Sequence, residues 1–200
     1  GLWINSLREE VIAKMAEAGL VYANLAIEHG NEHMRNNVIG KILDKKRIVE
    51  TAALLKKYKV KTVGLFLMGF PEETNETLQS TYDMMHELQL DNYSVQTVIP
   101  FPGTKLFKQV VKDKILLGDW KLDELWKTPI TLGQKDFLIQ PYNMSIDALH
   151  KWREKFDKIK MQYWTIESKK TKYTSSSGLA PRLDNKRKSA LMFESIDGSA

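Results

Sequence analysis

Hydrophobic positions along this chain follow two alternating rhythms, a helical one with a period near 3.6 and a short, nearly continuous one suited to buried strands. Leu7, Val11, Ile12, Met15 and Ala18 form a helical stripe. Ser6 and Glu9 have the spacing of a capping box, and Gly19 suits the left-handed residue after a helix, which predicts a helix over residues 6–18. Residues 21–27 read as a strand and 31–40 as a short helix and turn. Asp44 caps the next helix, whose inner face is Ile48, Ala52, Leu55 and Tyr58. The run 62–68 is almost continuously apolar, as in a parallel strand covered on both faces. A helix starting at Thr74 or Asn75, a strand over 93–99, a Pro/Gly turn at 100–103 and a helix from Thr104 to about Lys112 complete the pattern. Strand and helix alternate, so the fold class is α/β with a parallel sheet. Beyond Gly118 the rhythm stops. There a short helix over 119–126, a short strand over 137–139 and a long amphipathic helix from Ser145 are predicted, the last with Ile146, Leu149, Trp152, Phe156, Ile159 and Tyr163 as its stripe.

Each of the three strands ends in unusual chemistry, and in β/α folds the functional edge lies at the carboxyl ends of strands. The first runs into Glu28-His29-Gly30, the second into Gly69-Phe70-Pro71-Glu72-Glu73-Thr74, and the third, after Ile99, into Pro100-Phe101-Pro102-Gly103-Thr104. Gly69 lets a ligand approach the backbone, Pro71 stiffens the loop, and amides at the helix entrance after it attract a carboxylate or phosphate. Glu72 and Glu73 can reach ligand donors, yet acids in a first helical turn also serve the helix dipole and need no ligand. A carboxylate at Glu28, closing an apolar strand, is costly unless a ligand or donor meets it; the alternative is a loop acid paired with a nearby lysine. Ile99 and Phe101 can wall a flat ring, although the same turn can be merely rigid. Asn24, Gln96 and Thr97 are further candidates for inward-facing side chains.

Composition adds exclusions. The chain has 200 residues, 42% hydrophobic and 28% charged, and no run approaches the ~20 apolar residues of a membrane span. The expectation is a soluble, cytoplasmic protein without a membrane partner. It opens on Gly1, with no Met before Met15, so its amino terminus is expected to be a cut boundary. With no cysteine, disulfides and thiolate-bound metals are excluded within these residues. The net charge of +5 is concentrated after residue 167, where Lys169, Lys170, Lys172, Arg182, Lys186, Arg187 and Lys188 face only Asp184, Glu194 and Asp197. Such a tail is expected to be solvated and disordered, though it can touch RNA or another anion.

Taken in order, Gly1-Leu2-Trp3, Glu17-Ala18-Gly19-Leu20, Leu25 to Glu32, Lys41, Met68 to Thr74 and Pro100 to Thr104 resemble the radical S-adenosylmethionine enzymes. The likeness is closest to the group that often carries an upstream cobalamin-binding domain, and it covers about residues 1–115. The resemblance implies a partial TIM barrel of six β/α units, of which this chain supplies the fourth to sixth strands over 1–118, then a helical extension over 119–167 and the tail over 168–200. It further implies S-adenosylmethionine as cofactor, a [4Fe-4S] cluster, and cobalamin where the upstream domain is present. Cofactor contacts would come from Glu28, Gly69, Pro71, Glu73, Ile99, Pro100, Phe101 and Gly103, with no catalytic or metal-binding residue in the chain itself. Glu72 stands where the family has glycine.

The family holds its cluster on a Cys-x3-Cys-x2-Cys loop after the first strand, and that loop is absent here. The resemblance therefore implies partners: the amino-terminal part of the same barrel, a reductant such as flavodoxin or ferredoxin, and a substrate of unspecified class. The intact enzyme would cleave S-adenosylmethionine to a 5′-deoxyadenosyl radical, or transfer methyl through cobalamin, as an oxidoreductase or methyltransferase. The chain alone is expected to be inactive and either marginally stable or prone to aggregate, because the sheet edge beside residues 21–27 is left without its neighbour. Two other readings stay open: a non-catalytic RNA- or anion-binding scaffold acting through the tail, and a TIM-type metal-dependent hydrolase using Glu28, His29 and His33.

Overall fold

A computed structural model describes residues 1–118 and 137–172, with side chains as far as Ile159. The chain divides into two compact units, Gly1–Glu167 and Ser168–Ala200. Within the first, a 3-10 turn (Ile4–Ser6) leads into α1 (Glu9–Glu17), β1 (Tyr22–Glu28), a π-helical turn (Met34–Val38), α2 (Lys45–Lys57), β2 (Lys61–Met68), α3 (Asn75–Leu88), β3 (Asn92–Thr97) and α4 (Lys105–Lys112). Helix α5 (Ile146–Lys172) closes the described residues. The α/β class is as the pattern predicts, and the three strands lie parallel in the order β1-β2-β3.

Local signals explain most boundaries. The Asp44 carboxylate accepts from Lys46 N (2.9 Å) and caps α2. Thr74 and Thr77 exchange reciprocal backbone bonds as the capping box of α3. Thr104 caps α4 through Phe107 N (3.1 Å), and Ser145 accepts from Ala148 N (3.2 Å) at the start of α5. The Ser6–Glu9 box does not form. Ser6 sits in the 3-10 turn and spends its hydroxyl on Trp3 O (2.8 Å), so α1 starts three residues later than its apolar stripe predicts. The predicted strand over 137–139 is reduced to one antiparallel bridge, Leu116 to Ile139. The predicted helix over 119–126, and Tyr163 as a side chain, lie outside the described residues.

Strand alternation sorts the sheet into two faces. Ala23, Leu25 and Ile27 of β1, Phe66 and Met68 of β2 and Tyr93 of β3 face a core shared with Ile12, Ile48, Leu55, Leu78, Met85, Trp152 and Phe156. The opposite face presents Asn24 and Ala26 beside Val63 and Leu65, then Ser94 and Gln96 beside Leu65 and Leu67. Asn24 and Gln96 thus share a face, whereas Thr97 pairs with Met68 on the helical side and is buried. A second apolar cluster, Met34, Phe70, Val98, Val110, Leu138 and Ile139, lies among the segments that follow the strands and supports their loops.

Candidate functional site

All three strand ends meet at one margin of the sheet, because Glu28 is in register with Phe66 and Met68 with Thr97. A β-bulge between Ala26 and Glu28 breaks the alternation of β1 there. Glu28 takes φ +72°, a left-handed conformation uncommon for a residue with a Cβ. Bulges and left-handed non-glycine residues are devices for re-aiming a side chain, and they cluster near binding sites. The Glu28 carboxylate meets Lys41 Nζ at 2.8 Å, and the same ammonium donates to Ala26 O at 2.5 Å and stands 5.6 Å over the Trp3 ring. Both members of this pair are mostly but not fully buried. The loop-acid alternative for Glu28 is therefore correct about the lysine, yet the pair lies at the strand margin and not out in solvent.

Gly69 opens the β2 loop at φ +92°, and a Cβ there would come within 3.1 Å of the Phe137 ring. The conformation favours glycine, and a side chain would in addition press on the Phe137 ring. Its N–H donates to Glu73 Oε2 (3.0 Å). Glu73 Oε1 accepts from Thr77 Oγ1 (2.6 Å) and faces His29 Nε2 (3.0 Å). His29 and Glu73 are both fully buried. Since His29 Nδ1 accepts the Asn31 N–H (3.0 Å), the ring proton belongs on Nε2, where it points at Glu73. The carboxylate is thus engaged by the β2 loop, by α3 and, through His29, by the turn after β1. Amides of the loop before α3 are engaged within the protein: Gly69 N goes to Glu73, Glu73 N to Phe70 O and Thr74 N to Thr77 Oγ1, while Thr77 N in the first turn goes to Thr74 Oγ1.

Pro71 and Glu72 hold the loop from its other side. Pro71 O accepts Tyr142 N (2.8 Å), and Glu72 Oε1 accepts Gln109 Nε2 (3.0 Å). The Tyr142 hydroxyl donates to Asp113, and that bond raises its pKa above the ordinary phenol range. After β3, Ile99 is half-buried against the second apolar cluster and Pro100 is buried, while Phe101 is 47% exposed. Thr104 N returns to Phe101 O (3.2 Å) with Gly103 at φ +89°, the arrangement of a type II turn with Pro102 at its first corner. Ring and turn backbone are therefore presented while the strand end is anchored.

One functional-looking residue escaped sequence reasoning. Arg35 is fully buried; its Nη1 donates to the carbonyls of His29 (2.9 Å) and Gly30 (2.8 Å), and its Nε to Leu43 O (3.1 Å). Burial lowers its pKa, with Glu32 and Asp44 opposing. Only its place in a polar loop hinted at it, because nothing in the pattern says that a loop arginine turns inward. His29 and His33 do not converge: His29 has both nitrogens engaged and His33 is exposed. Among the described residues no group of three or more His, Asp or Glu side chains could hold a metal ion, which removes the geometric basis of the hydrolase reading.

Known proteins bear on this margin. Residues 2–85 match the family model of the radical SAM superfamily. The chain is 27% identical over 119 residues to an uncharacterized methyltransferase of Pyrococcus horikoshii, covering 59% of this chain and 26% of that protein. It is 31% identical over 114 residues to the anaerobic magnesium-protoporphyrin IX monomethyl ester cyclase of Cereibacter sphaeroides, covering 56% and 18%. Among solved structures, coproporphyrinogen III oxidase of Escherichia coli superposes with a TM-score of 0.50 at 16% identity, over 64% of this chain and 29% of that one. That likeness concerns the fold alone. The chain spans about a quarter or less of the length of these curated relatives.

Proposed function

Since this chain belongs to the radical SAM superfamily, we propose that its three strands are the fourth to sixth of a partial barrel and that their carboxyl ends hold S-adenosylmethionine. The observation that supports this reading is the convergence of Glu28, Gly69 and the Phe101–Gly103 turn at one sheet margin, inside and just beyond the matched segment. Residue chemistry fits the cofactor. Glu28 offers a carboxylate to ribose hydroxyls or the methionyl ammonium, and Gly69 offers a backbone with no Cβ in the way. Ile99 and Phe101 offer apolar surface to adenine, with Pro100 and Gly103 shaping the turn. Pro71 and Glu73 keep the loop in place. When bound, the cofactor supplies a carbon radical, or a methyl group where cobalamin is the carrier.

The chain's residues do not fit a [4Fe-4S] cluster, because there is no cysteine among all 200. In this reading the cluster, its ligands and the remaining strands belong to a further part of the barrel, and a reductant such as flavodoxin or ferredoxin feeds it. The methyltransferase and cyclase names among the relatives support a reaction of radical or methyl-transfer type in this reading and do not choose between the two.

Titrating S-adenosylmethionine into the chain while following backbone amide shifts tests the proposal. Shifts are expected at Glu28, Gly69 and Phe101–Gly103, with their loss in Glu28→Gln. Shifts confined to other residues, or none at all, would overturn it. Incubated anaerobically with iron, sulfide and a reductant, the chain by itself is expected to leave the cofactor intact.

A further inference from the structure

Between the β1 and β2 ends runs an unbroken line of buried polar contacts. Arg35 Nη1 holds the carbonyls of His29 and Gly30, the His29 ring faces Glu73, and Glu73 takes the Gly69 amide. We propose that His29 and Glu73 are a positioning pair that fixes the Glu28 turn and the Gly69 loop in one mutual geometry, and that this geometry, more than any direct contact from Glu73, determines affinity for the cofactor. The proposal rests on the reading of the site given above.

Three features carry it. First, a carboxylate removed from water needs several donors, and Glu73 has three from three separate places: the ring of His29 in the β1 turn, the amide of Gly69 in the β2 loop and the hydroxyl of Thr77 in α3. Among the described residues no Lys or Arg salt bridge reaches it, so its oxygens are met by the His29 ring, an amide and a hydroxyl, whose positions it dictates in return. Second, the imidazole is oriented from behind. Asn31 N donates to Nδ1 at 3.0 Å and Thr81 Oγ1 stands 3.3 Å from the same nitrogen, which leaves Nε2 as the only position for the ring proton. A neutral ring with that tautomer is the only form that satisfies both Asn31 and Glu73. Third, both flanks of the pair are residues that the cofactor would meet. Glu28 immediately precedes His29, and Gly69 is bonded to Glu73 directly, so slack in the pair reaches both contacts together.

Histidine isosteres separate this role from simple packing. A glutamine amide can stand in for Nε2–H and an asparagine amide only for the Nδ1 side. His29→Gln should therefore retain the donor to Glu73, and His29→Asn should lose it. In the unsubstituted chain, long-range ¹H–¹⁵N spectra should show His29 as the Nε2–H tautomer with a slowly exchanging ring proton. Exchange of the Gly69 amide should accelerate about tenfold in His29→Asn and in Glu73→Gln, the equivalent of roughly 1.4 kcal/mol, and stay close to wild type in His29→Gln. Dissociation constants for S-adenosylmethionine should move in the same order. An Nδ1–H tautomer would overturn the proposal without any variant, even if His29→Asn failed to fold. Equal cofactor affinity in all three variants would overturn it as well. Were the unsubstituted chain to show the expected tautomer and Gly69 protection yet bind no cofactor, the pair would stand as a link between the strand ends, and the assignment of the cofactor and of the affinity role would fall.

Discussion

A Cβ added to Gly30 would lie 2.3 Å from both Ser80 O and Thr81 Cα, inside the backbone of α3. Its N–H already donates to Thr81 Oγ1 at 2.9 Å, so the turn after β1 is pressed against the helix and cannot retreat without breaking that bond. Gly30→Ala should lower stability by about 3 kcal/mol, the upper end of ordinary overpacking, as measured by denaturant titration. An unchanged midpoint would mean that the turn sits away from α3. The glycine is plain in the sequence, but its reason is not, because the obstructing helix lies 50 residues downstream. Glu73 teaches the same lesson. Sequence places it in the loop before α3, where it stands, yet its donors include a histidine 44 residues away, a relation that no local spacing expresses.

Elements were more legible than single side chains because caps and apolar stripes are local. Asp44, Thr74, Thr104 and Gly19 all stand where their helices begin or end. Ser6 and Glu9 misled for a physical reason: Glu9 has a competing use. Its carboxylate takes Lys57 Nζ at 2.5 Å and the Tyr58 hydroxyl at 3.0 Å, tying α1 to the end of α2 in place of closing a box. The hydrogen bond from Lys57, then that from Tyr58, lowers the Glu9 pKa, while the bond to Glu9 raises those of Lys57 and Tyr58. The sign follows directly. A carboxyl depressed on folding stabilises above its unfolded pKa and ceases to do so as pH falls through the folded value; the raised Lys57 stabilises below its unfolded pKa and ceases to as pH rises through its own. The tie is therefore fully present between the ordinary glutamate and lysine ranges. Because Glu9 and Lys57 are solvent-exposed and Tyr58 is only half-buried, the effect is small and salt-sensitive. Glu9→Gln should flatten the acid limb of stability against pH at low ionic strength, and an unchanged limb would count against the tie.

At the scale of the molecule, a parallel sheet of three strands has two edges, and the chain treats them differently. Leu2 forms a parallel bridge with Leu25, its N–H donating to Asn24 O at 2.7 Å, so residues before α1 occupy part of the β1 edge. On β3, among the described residues, a side chain of α5 reaches the edge. Arg153 of α5 donates from Nη1 to Val95 O and from Nη2 to Thr97 Oγ1, both at 2.5 Å, and its guanidinium lies 5.8 Å over the Phe137 ring. The α5 stripe of Leu149, Trp152, Phe156 and Ile159 was readable as a packing face, whereas a charged residue next to Trp152 reads as solvated until the sheet edge is known. Burial lowers the Arg153 pKa, with Asp157 opposing, so the contact gains its hydrogen bonds against a desolvation cost. Two substitutions separate these terms. Arg153→Ala removes donors and volume, leaves Val95 O without this donor, and should cost about 2–3 kcal/mol. Arg153→Met keeps much of the volume and sheds the buried charge, so it should cost about 1 kcal/mol less in the same denaturant titration. Both uncover the Val95 carbonyl on an edge strand, so light scattering should show more concentration-dependent association in each than in the unsubstituted chain. Association in neither variant would mean that α5 shields β3 by its bulk, and equal stability losses would mean that the cation carries no net penalty.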